Sequence, residues 1–321
     1  MRFQLTSENV AGWLEEHGLV TPGAPLDVRE LAGGVSATVL AVRGPRIALV
    51  VKQALPQLRV SDEWIATQER TDTEAAAMRI CGALTPGVVP AVVAVDPVRH
   101  VLAMELVEGA AGWQAEVSRG SVHAERGAWA GSTLAAWHRE TAGRDSLYEA
   151  LGGIEPFEQQ RLRPFHETVM TRRPELAAAI APYRNALRAE RLCLVHGDYA
   201  MKNMLLRGAE TWVVDFEVAH VGNPVFDLAF FLSFVLLSAI RWPDRAGELQ
   251  TLGDGFLAAY RSGSPFPLDD GTIAGHTACL VLARTDGKSP AQFLDGASRD
   301  HAREIAIAML DAPGRGLFAG L

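Results

Sequence analysis

The chain has few cysteines for its length. Only three occur in 321 residues, Cys81, Cys193 and Cys279, and each lies in apolar sequence far from the others. An odd number of widely spaced cysteines excludes a disulfide framework and a zinc site built from closely spaced pairs. We therefore expect three buried, reduced thiols.

Aromatic residues, long apolar runs and excess positive charge are also scarce. Aromatics make up 7% of the chain, which disfavours an aromatic cage for a quaternary amine. The longest apolar run, residues 228–240, is too short to span a bilayer, and residues 1–8 lack the apolar core of a signal peptide. The net charge of −8 makes nucleic acid and anionic membranes poor partners. These absences predict a cytoplasmic protein that binds neither nucleic acid nor membrane.

The hydrophobic pattern changes about one third of the way along the chain. Residues 1–105 alternate short apolar runs with turns, and 88–96 and 100–106 are predicted to pair as strands. From residue 124 onward, apolar residues recur at helical spacing. The length suits two domains. We predict an α+β fold with a small antiparallel-sheet domain over 1–107 and a larger, mainly helical domain over 108–321.

Two short motifs in the second part of the chain supply carboxylate and amide side chains. Asp198 follows His-Gly and precedes Asn203 by five positions, and a strand predicted at 211–214 ends at Asp215, with Glu217 beyond it. Protein kinases place a catalytic-loop Asp, an Asn and a strand-end Asp in this order. The order predicts Asp198 as the base for an acceptor hydroxyl, and Asn203 and Asp215 as Mg²⁺ ligands. Glu217 is predicted to ligate a second Mg²⁺ or to orient Asp215.

A small, flexible loop near the start of the chain is a candidate phosphate-binding loop. It covers residues 31–38, lies between two apolar stretches and contains Gly33 and Gly34. Glycines allow backbone N–H groups to approach phosphate oxygens. Gly34 and Ser36 are therefore predicted to bind the nucleotide.

A lysine and a glutamate follow this loop in the order that kinases use. An apolar strand is predicted at 47–51 with Lys52 at its end, and a helix is predicted at 72–80 with Glu74 in its first turn. Lys52 is predicted to bind the ATP phosphates and to pair with Glu74. Glu69 is the alternative partner.

These motifs resemble the aminoglycoside phosphotransferase and choline kinase-like superfamily, which has the two-lobed protein kinase architecture. His-Gly-Asp-x4-Asn and Asp-x-Glu are its specific part, and the resemblance runs from near Gly33 to the helix after Asp227. It implies that a hinge at 102–109 binds adenine through the C=O of Glu105 and the N–H of Val107. It also implies that Asp227 accepts hydrogen bonds from the catalytic-loop backbone; the alternative is that Asp227 caps the helix it begins.

Within the superfamily, several features resemble the methylthioribose kinases. They are the segment 51–56, Trp64, the Asp-x-Glu form, and Arg284 followed by Thr-x-Gly. The resemblance implies that Arg284 contacts the acceptor; a helix cap or an ion pair with Asp286 is the alternative. The chain differs from that family in having Asn203, where the family lacks an Asn, in having Ala283, where the family has a second arginine, and in its shorter length.

The resemblance implies an ATP-dependent kinase that phosphorylates a hydroxyl of a small molecule, with ATP and Mg²⁺ as cofactors. The alternative is a nucleotide-binding pseudokinase or regulatory module without turnover. Every predicted ion-binding and proton-accepting position is present, which favours the enzyme. The acceptor stays open between a sugar or methylthioribose-like compound, an aminoglycoside or other antibiotic, and an amino alcohol.

Overall fold

A computed structural model of the chain describes residues 3–31, 34–60 and 62–318. The first part of the chain forms a five-stranded sheet made of β1 (Asp27–Glu30), β2 (Ala37–Gly44), β3 (Ile47–Ala54), β4 (Val92–Asp96) and β5 (Val101–Glu105). Its strand order is β1-β2-β3-β5-β4, and all neighbours are antiparallel. The predicted α+β fold with a small antiparallel sheet is confirmed.

Strand β3 is longer than its apolar pattern predicts. The prediction places Lys52 at the strand end, whereas β3 continues to Ala54 because β2 pairs with it up to that residue. Side chains alternate between the two faces of the strand. Leu49 packs with Trp13 of a helix at Val10–Glu16, and Lys52 lies on the opposite face. Lys52 therefore projects from the interior of the sheet and not from its rim.

Two helices accompany the sheet in the first part of the chain, and the second part is mostly helical. The two helices of the first part are α1 (Val10–Glu16) and α2 (Arg70–Leu84). Those of the second part are α3 (Trp113–Arg119), α4 (Arg126–Thr141), α5 (Ser146–Ala150), α6 (Glu155–Phe157), a π-helix (Glu158–Glu167), α7 (Thr168–Arg172), α8 (Ala177–Ala189), α9 (Val225–Arg241), α10 (Ala246–Gly263), α11 (Asp270–Asp286) and α12 (Gly296–Asp311). Helix α9 is buried over nearly its whole length. The second part of the chain is therefore packed around this apolar helix.

Helices α4 and α10 approach each other closely at two glycines. A Cβ at Gly127 would lie 2.1 Å from the carbonyl oxygen of Leu252, and one at Gly131 would lie 2.1 Å from that of Phe256. Because no side chain fits at that distance, only glycine allows the two backbones to meet there. This contact anchors α4, which carries His138 toward the catalytic loop.

Short strands hold the motifs around Asp198 and Asp215 together. They are β6 (Ala111–Gly112), β7 (Cys193–Val195), β8 (Met204–Arg207), β9 (Glu210–Val213) and β10 (His220–Gly222). Loop 196–203 joins β7 to β8, and β8 and β9 form a hairpin with a two-residue turn. The N–H of Val214 donates to the C=O of Asn203 at 3.0 Å. The loop that contains Asp198 and the end of β9 that precedes Asp215 therefore lie side by side.

Two further sequence expectations concern thiols and membranes. Cys81, Cys193 and Cys279 are free and buried, as predicted. No single helix among the described residues is long and apolar enough to cross a membrane; by length and composition alone, only Val225–Arg241 together with Pro243–Gly263 reaches that level, as a pair bent by 118°.

Candidate active site

Lys52 lies at the centre of a cluster of three carboxylates. Its Nζ is 3.0 Å from Glu74 Oε2, 2.5 Å from Asp215 Oδ1 and 3.7 Å from Glu217 Oε2. Glu74 is buried on α2, whereas Glu69, the alternative partner, is exposed at the start of that helix. The structure thus brings Lys52 together with three of the acidic residues singled out from the sequence, and Glu74 is the partner from α2.

Burial and charge set the ionisation of this cluster. Burial lowers the pKa of Lys52, but the charges of Asp215, Glu74 and Glu217 raise it by more. The pKa of Lys52 is therefore well above its usual value, and the ammonium stays protonated. Burial raises the pKa of Asp215, yet Lys52 and Lys202 hold it well below its usual range. Burial, opposed by Lys52 and reinforced by the other two carboxylates, raises the pKa of Glu74 to about 7. Asp215 is therefore more firmly ionised than Glu74.

The same carboxylates form a possible cation site. Glu74, Asp215 and Glu217 can each offer an oxygen, and these atoms lie within 4.8 Å of one another. Asp215 has a φ of 71°, in the left-handed region that Asp adopts more readily than most residues. Asn203 uses its amide N–H groups on Asp198, so its side-chain oxygen remains as a ligand atom. These hard oxygen donors fit a divalent cation such as Mg²⁺.

Asp198 is held by three polar side chains. Its Oδ2 accepts hydrogen bonds from Lys202 and, at 2.6 Å, from Asn203, and its Oδ1 is 2.8 Å from Arg161 Nη2. Burial raises the pKa of Asp198, but Arg161 and Lys202 lower it more, so its pKa lies below the usual range. Asp198 is therefore ionised at neutral pH and can accept a proton.

Two buried arginines that contact the predicted site residues escaped the sequence analysis. Arg161 lies in the π-helix, where the many Arg and Glu residues are typical of a solvated helical face, yet it is buried and also donates to the C=O of Gly197 at 2.8 Å. Arg70, in the first turn of α2, is fully buried and pairs with Glu217 at 3.2 Å. It also donates to the C=O of Ser36 at 2.6 Å. Only its position on the helix that contains Glu74 could have drawn attention to it.

Asp227 holds the loop that contains Asp198. Its carboxylate accepts the backbone N–H of His196 at 2.7 Å and that of Gly197 at 2.8 Å, while the N–H of Val225, the first residue of α9, donates to Asn223 Oδ1 at 2.9 Å. His138 Nε2 lies 3.3 Å from the same carboxylate. Gly197 has a φ of 78°, and a Cβ there would lie 2.5 Å from the C=O of Val218. Asp227 therefore contacts the backbone of this loop and does not cap the helix that it begins.

The predicted adenine-binding hinge at 102–109 lies within the described residues, whereas the predicted phosphate-binding loop at 31–38 is described only in part. The N–H of Leu106 donates to the C=O of Ala48 at 3.0 Å, so β5 stays paired with β3 up to the predicted hinge at Glu105 and Val107. Gly34 is exposed, and Ser36 is tied to Arg70 through its carbonyl. Gly33 lies outside the described residues. Along this stretch, the backbone near Ser36 is the part that contacts the carboxylate cluster, through Arg70.

Arg284 lies near the end of α11. Its Nη1 donates to Ser289 Oγ at 2.9 Å, and its guanidinium lies 5.3 Å from the ring centre of Phe234. Burial, opposed by the charge of Asp198 and reinforced by that of Arg161, lowers the pKa of Arg284 to about 10.

The ion pair with Asp286 that the sequence allowed for Arg284 does not form. Asp286 pairs instead with Arg173 at 3.1 Å and with Arg303 at 2.8 Å. These two arginines come from other segments of the fold, and they are the ion-pair partners of Asp286 in place of Arg284.

The chain is similar to known proteins in sequence and in fold. Residues 27–266 match the family model described as "Phosphotransferase enzyme family". A methylthioribose kinase of Geobacillus sp. (strain WCH70) is 24% identical over 353 residues, covering 91% of this chain and 86% of the relative.

Among solved structures, a choline/ethanolamine kinase family protein from Mesorhizobium loti has a TM-score of 0.59 at 20% identity, over 98% of this chain and 99% of that one. A spectinomycin phosphotransferase in complex with ADP and spectinomycin has a TM-score of 0.55 at 12% identity, over 97% and 99%. The predicted superfamily and enzyme class are confirmed: the chain belongs to the phosphotransferase enzyme family and is a kinase that acts on small molecules.

Proposed function

We propose that the enzyme transfers the γ-phosphoryl group of ATP to a hydroxyl group of a small polyhydroxylated acceptor, with Mg²⁺ as the metal. The observation that supports this most directly is the contact between the two motifs. Asn203 and Lys202 both donate hydrogen bonds to ionised Asp198. The C=O of Asn203 also accepts the N–H of Val214 at the end of β9, and Lys202 lowers the pKa of Asp215, which pairs with Lys52. The residues proposed as the base for the acceptor and as the charged cluster for the nucleotide lie next to each other, which supports phosphoryl transfer.

Each side chain has a proposed role on one side of the reaction. Lys52 binds the α- and β-phosphates, and Glu74 orients it. Asn203, Asp215 and Glu217 hold Mg²⁺, which when bound neutralises the phosphate charge. Glu105 and Val107 bind adenine through their backbone, and Gly34 and Ser36 line the phosphates.

The acceptor side is organised around Asp198. Its carboxylate orients the acceptor hydroxyl and takes its proton as the oxygen attacks phosphorus. Arg161 and Lys202 lower the pKa of Asp198, and together with Asn203 they restrict its rotation. Asp198 therefore acts mainly by orienting the hydroxyl until the proton is lost late in the reaction. Lys202 is about one third exposed, which leaves it free to contact the phosphoryl group in transit.

An ADP-release assay tests the proposal. Sugars, methylthioribose, aminoglycosides and amino alcohols are supplied in turn with ATP or GTP and Mg²⁺, and Asp198→Asn serves as the matched inactive variant. We expect ADP release that depends on one acceptor class and is lost in Asp198→Asn, while ATP binding measured by calorimetry persists. Near wild-type turnover in Asp198→Asn would remove Asp198 from the mechanism.

A further inference from the structure

We propose that the acceptor has an anionic group, a carboxylate or a phosphate ester, which Arg284 binds beside the reacting hydroxyl. This inference rests on the proposed function, since it names the class of acceptor that the same site takes. It separates the enzyme from kinases whose acceptors are neutral polyols or cationic amines.

The first observation is an excess of positive charge around Asp198. Oδ1 of this carboxylate lies 2.8 Å from Arg161 Nη2 as an ion pair without hydrogen-bond geometry, and Oδ2 accepts hydrogen bonds from Lys202 and Asn203. Arg161 rests on the ring of Phe230 and Arg284 on that of Phe234, and the centres of these two rings are 5.4 Å apart. Arg161 and Lys202 already pair with Asp198, so Arg284 brings a third cation to this part of the site, although the chain as a whole has a net charge of −8.

The second observation is that the guanidinium of Arg284 has no counter-charge of its own. Within the described ranges, no carboxylate oxygen lies within ion-pair distance of it, and its Nε is buried without a hydrogen-bond partner. Its one hydrogen bond goes to the neutral hydroxyl of Ser289, and its face rests on Phe234. The pKa of about 10 leaves it charged at neutral pH.

A partly buried cation without a counter-ion is costly, and a protein retains it where a ligand supplies the missing charge. Guanidinium groups bind carboxylates and phosphates through two parallel hydrogen bonds. Arg284 still has the donors for such a pair, because only one of its nitrogens is used. A cationic acceptor would face Arg284, Lys202 and Arg161 together, so the same arrangement disfavours amines.

Matched acceptors test this inference. We would measure binding by calorimetry, in the presence of a non-hydrolysable ATP analogue and Mg²⁺, for two series of equal carbon skeleton. One series is glycerol, glycerate, glycerol 3-phosphate and 3-amino-1,2-propanediol; the other is ribitol, ribonate and ribose 5-phosphate. The comparison is made in wild type, Arg284→Gln, Arg284→Lys and the control Arg173→Gln, which removes a surface arginine paired with Asp286.

We expect an anionic member of at least one series to bind more tightly than its neutral and cationic counterparts. Arg284→Gln should reduce that preference by roughly 10- to 100-fold, the range for hydrogen bonds to charged groups. Arg284→Lys should retain part of it, and Arg173→Gln should retain all of it. The carboxylate and phosphate arms then distinguish the two anion types.

Three results would overturn the inference: preference for the neutral or amine member, an anion preference that persists in Arg284→Gln, or no binding by any anionic member. ADP release in the same series separates this inference from the proposed function. Turnover of neutral or cationic acceptors alone would leave the kinase proposal standing and remove the anionic one. Arg284-dependent anion binding without any ADP release would do the reverse.

Discussion

Replacing Asp227 with asparagine tests whether the catalytic loop is held from behind by α9. The carboxylate is fully buried and accepts the N–H groups of His196 and Gly197 at 2.7 and 2.8 Å. Asparagine has the same shape, but one of its two acceptor oxygens becomes an NH₂ group that must face a donor. The variant therefore keeps one loop contact and loses the other.

The magnitude follows from these two bonds. A hydrogen bond to a charged group contributes about 1.5–3 kcal/mol, and an unpaired buried donor costs about 1–3 kcal/mol. We expect Asp227→Asn to lower the free energy of unfolding by roughly 2.5–6 kcal/mol, the sum of the two contributions. For a chain of 321 residues this corresponds to a fall in Tm of about 4–9 °C.

Turnover should fall more steeply than stability. A loop displaced by about 1 Å misplaces Asp198, which costs on the order of 100-fold in kcat. The KM for ATP should change little, because Lys52 and the hinge are untouched. Glu248→Gln, an exposed acidic residue in the first turn of α10, is the control and should leave both quantities unchanged.

Steady-state ADP release and thermal unfolding decide the outcome. A lower Tm with an unaltered kcat would mean that Asp227 supports only the local fold. An unchanged Tm and kcat would refute the argument that the two backbone contacts hold the catalytic loop.

Three other predictions follow from the site and the core. Lys52→Ala should sharply raise the KM for ATP or lower kcat, because the phosphates lose their cation; unchanged ATP kinetics would show that the alignment of the first part of the chain is wrong. Lys202→Met should lower kcat and move the acidic limb of the kcat/KM profile to higher pH, since Lys202 lowers the pKa of Asp198; an unmoved limb would contradict this. Burial lowers the pKa of three histidines, to about 4 for His166 and His220 and to about 3 for His276. Because they stay neutral in the folded state but bind protons in the unfolded state below about pH 6.5, the free energy of unfolding should fall by about 1.4 kcal/mol per pH unit for each of them as pH drops from about 6.5 to 4. Urea titrations across this window check the slope, and stability that does not vary with pH there would oppose it.

Much of the fold and part of the site could be predicted from the sequence because they depend on contiguous segments. Asp198 and Asn203 lie in one loop, and the hairpin of β8 and β9 places Asp215 beside them through local pairing. The sheet and the apolar α9 follow from hydrophobic periodicity, which reports whether a local face is buried. The free thiols likewise followed from cysteine spacing.

Tertiary structure alone decided which distant charges meet. Arg161 lies in a segment whose charge pattern is that of a solvated face, and it becomes buried only where the π-helix packs against the catalytic loop. Asp286 is a neighbour of Arg284 in sequence but pairs with Arg173 and Arg303 from other segments. Periodicity determines which face of an element is buried, but it does not specify its partner. Ion pairs between separate elements, and the unpaired guanidinium that they leave at Arg284, therefore arise only when the whole chain is packed.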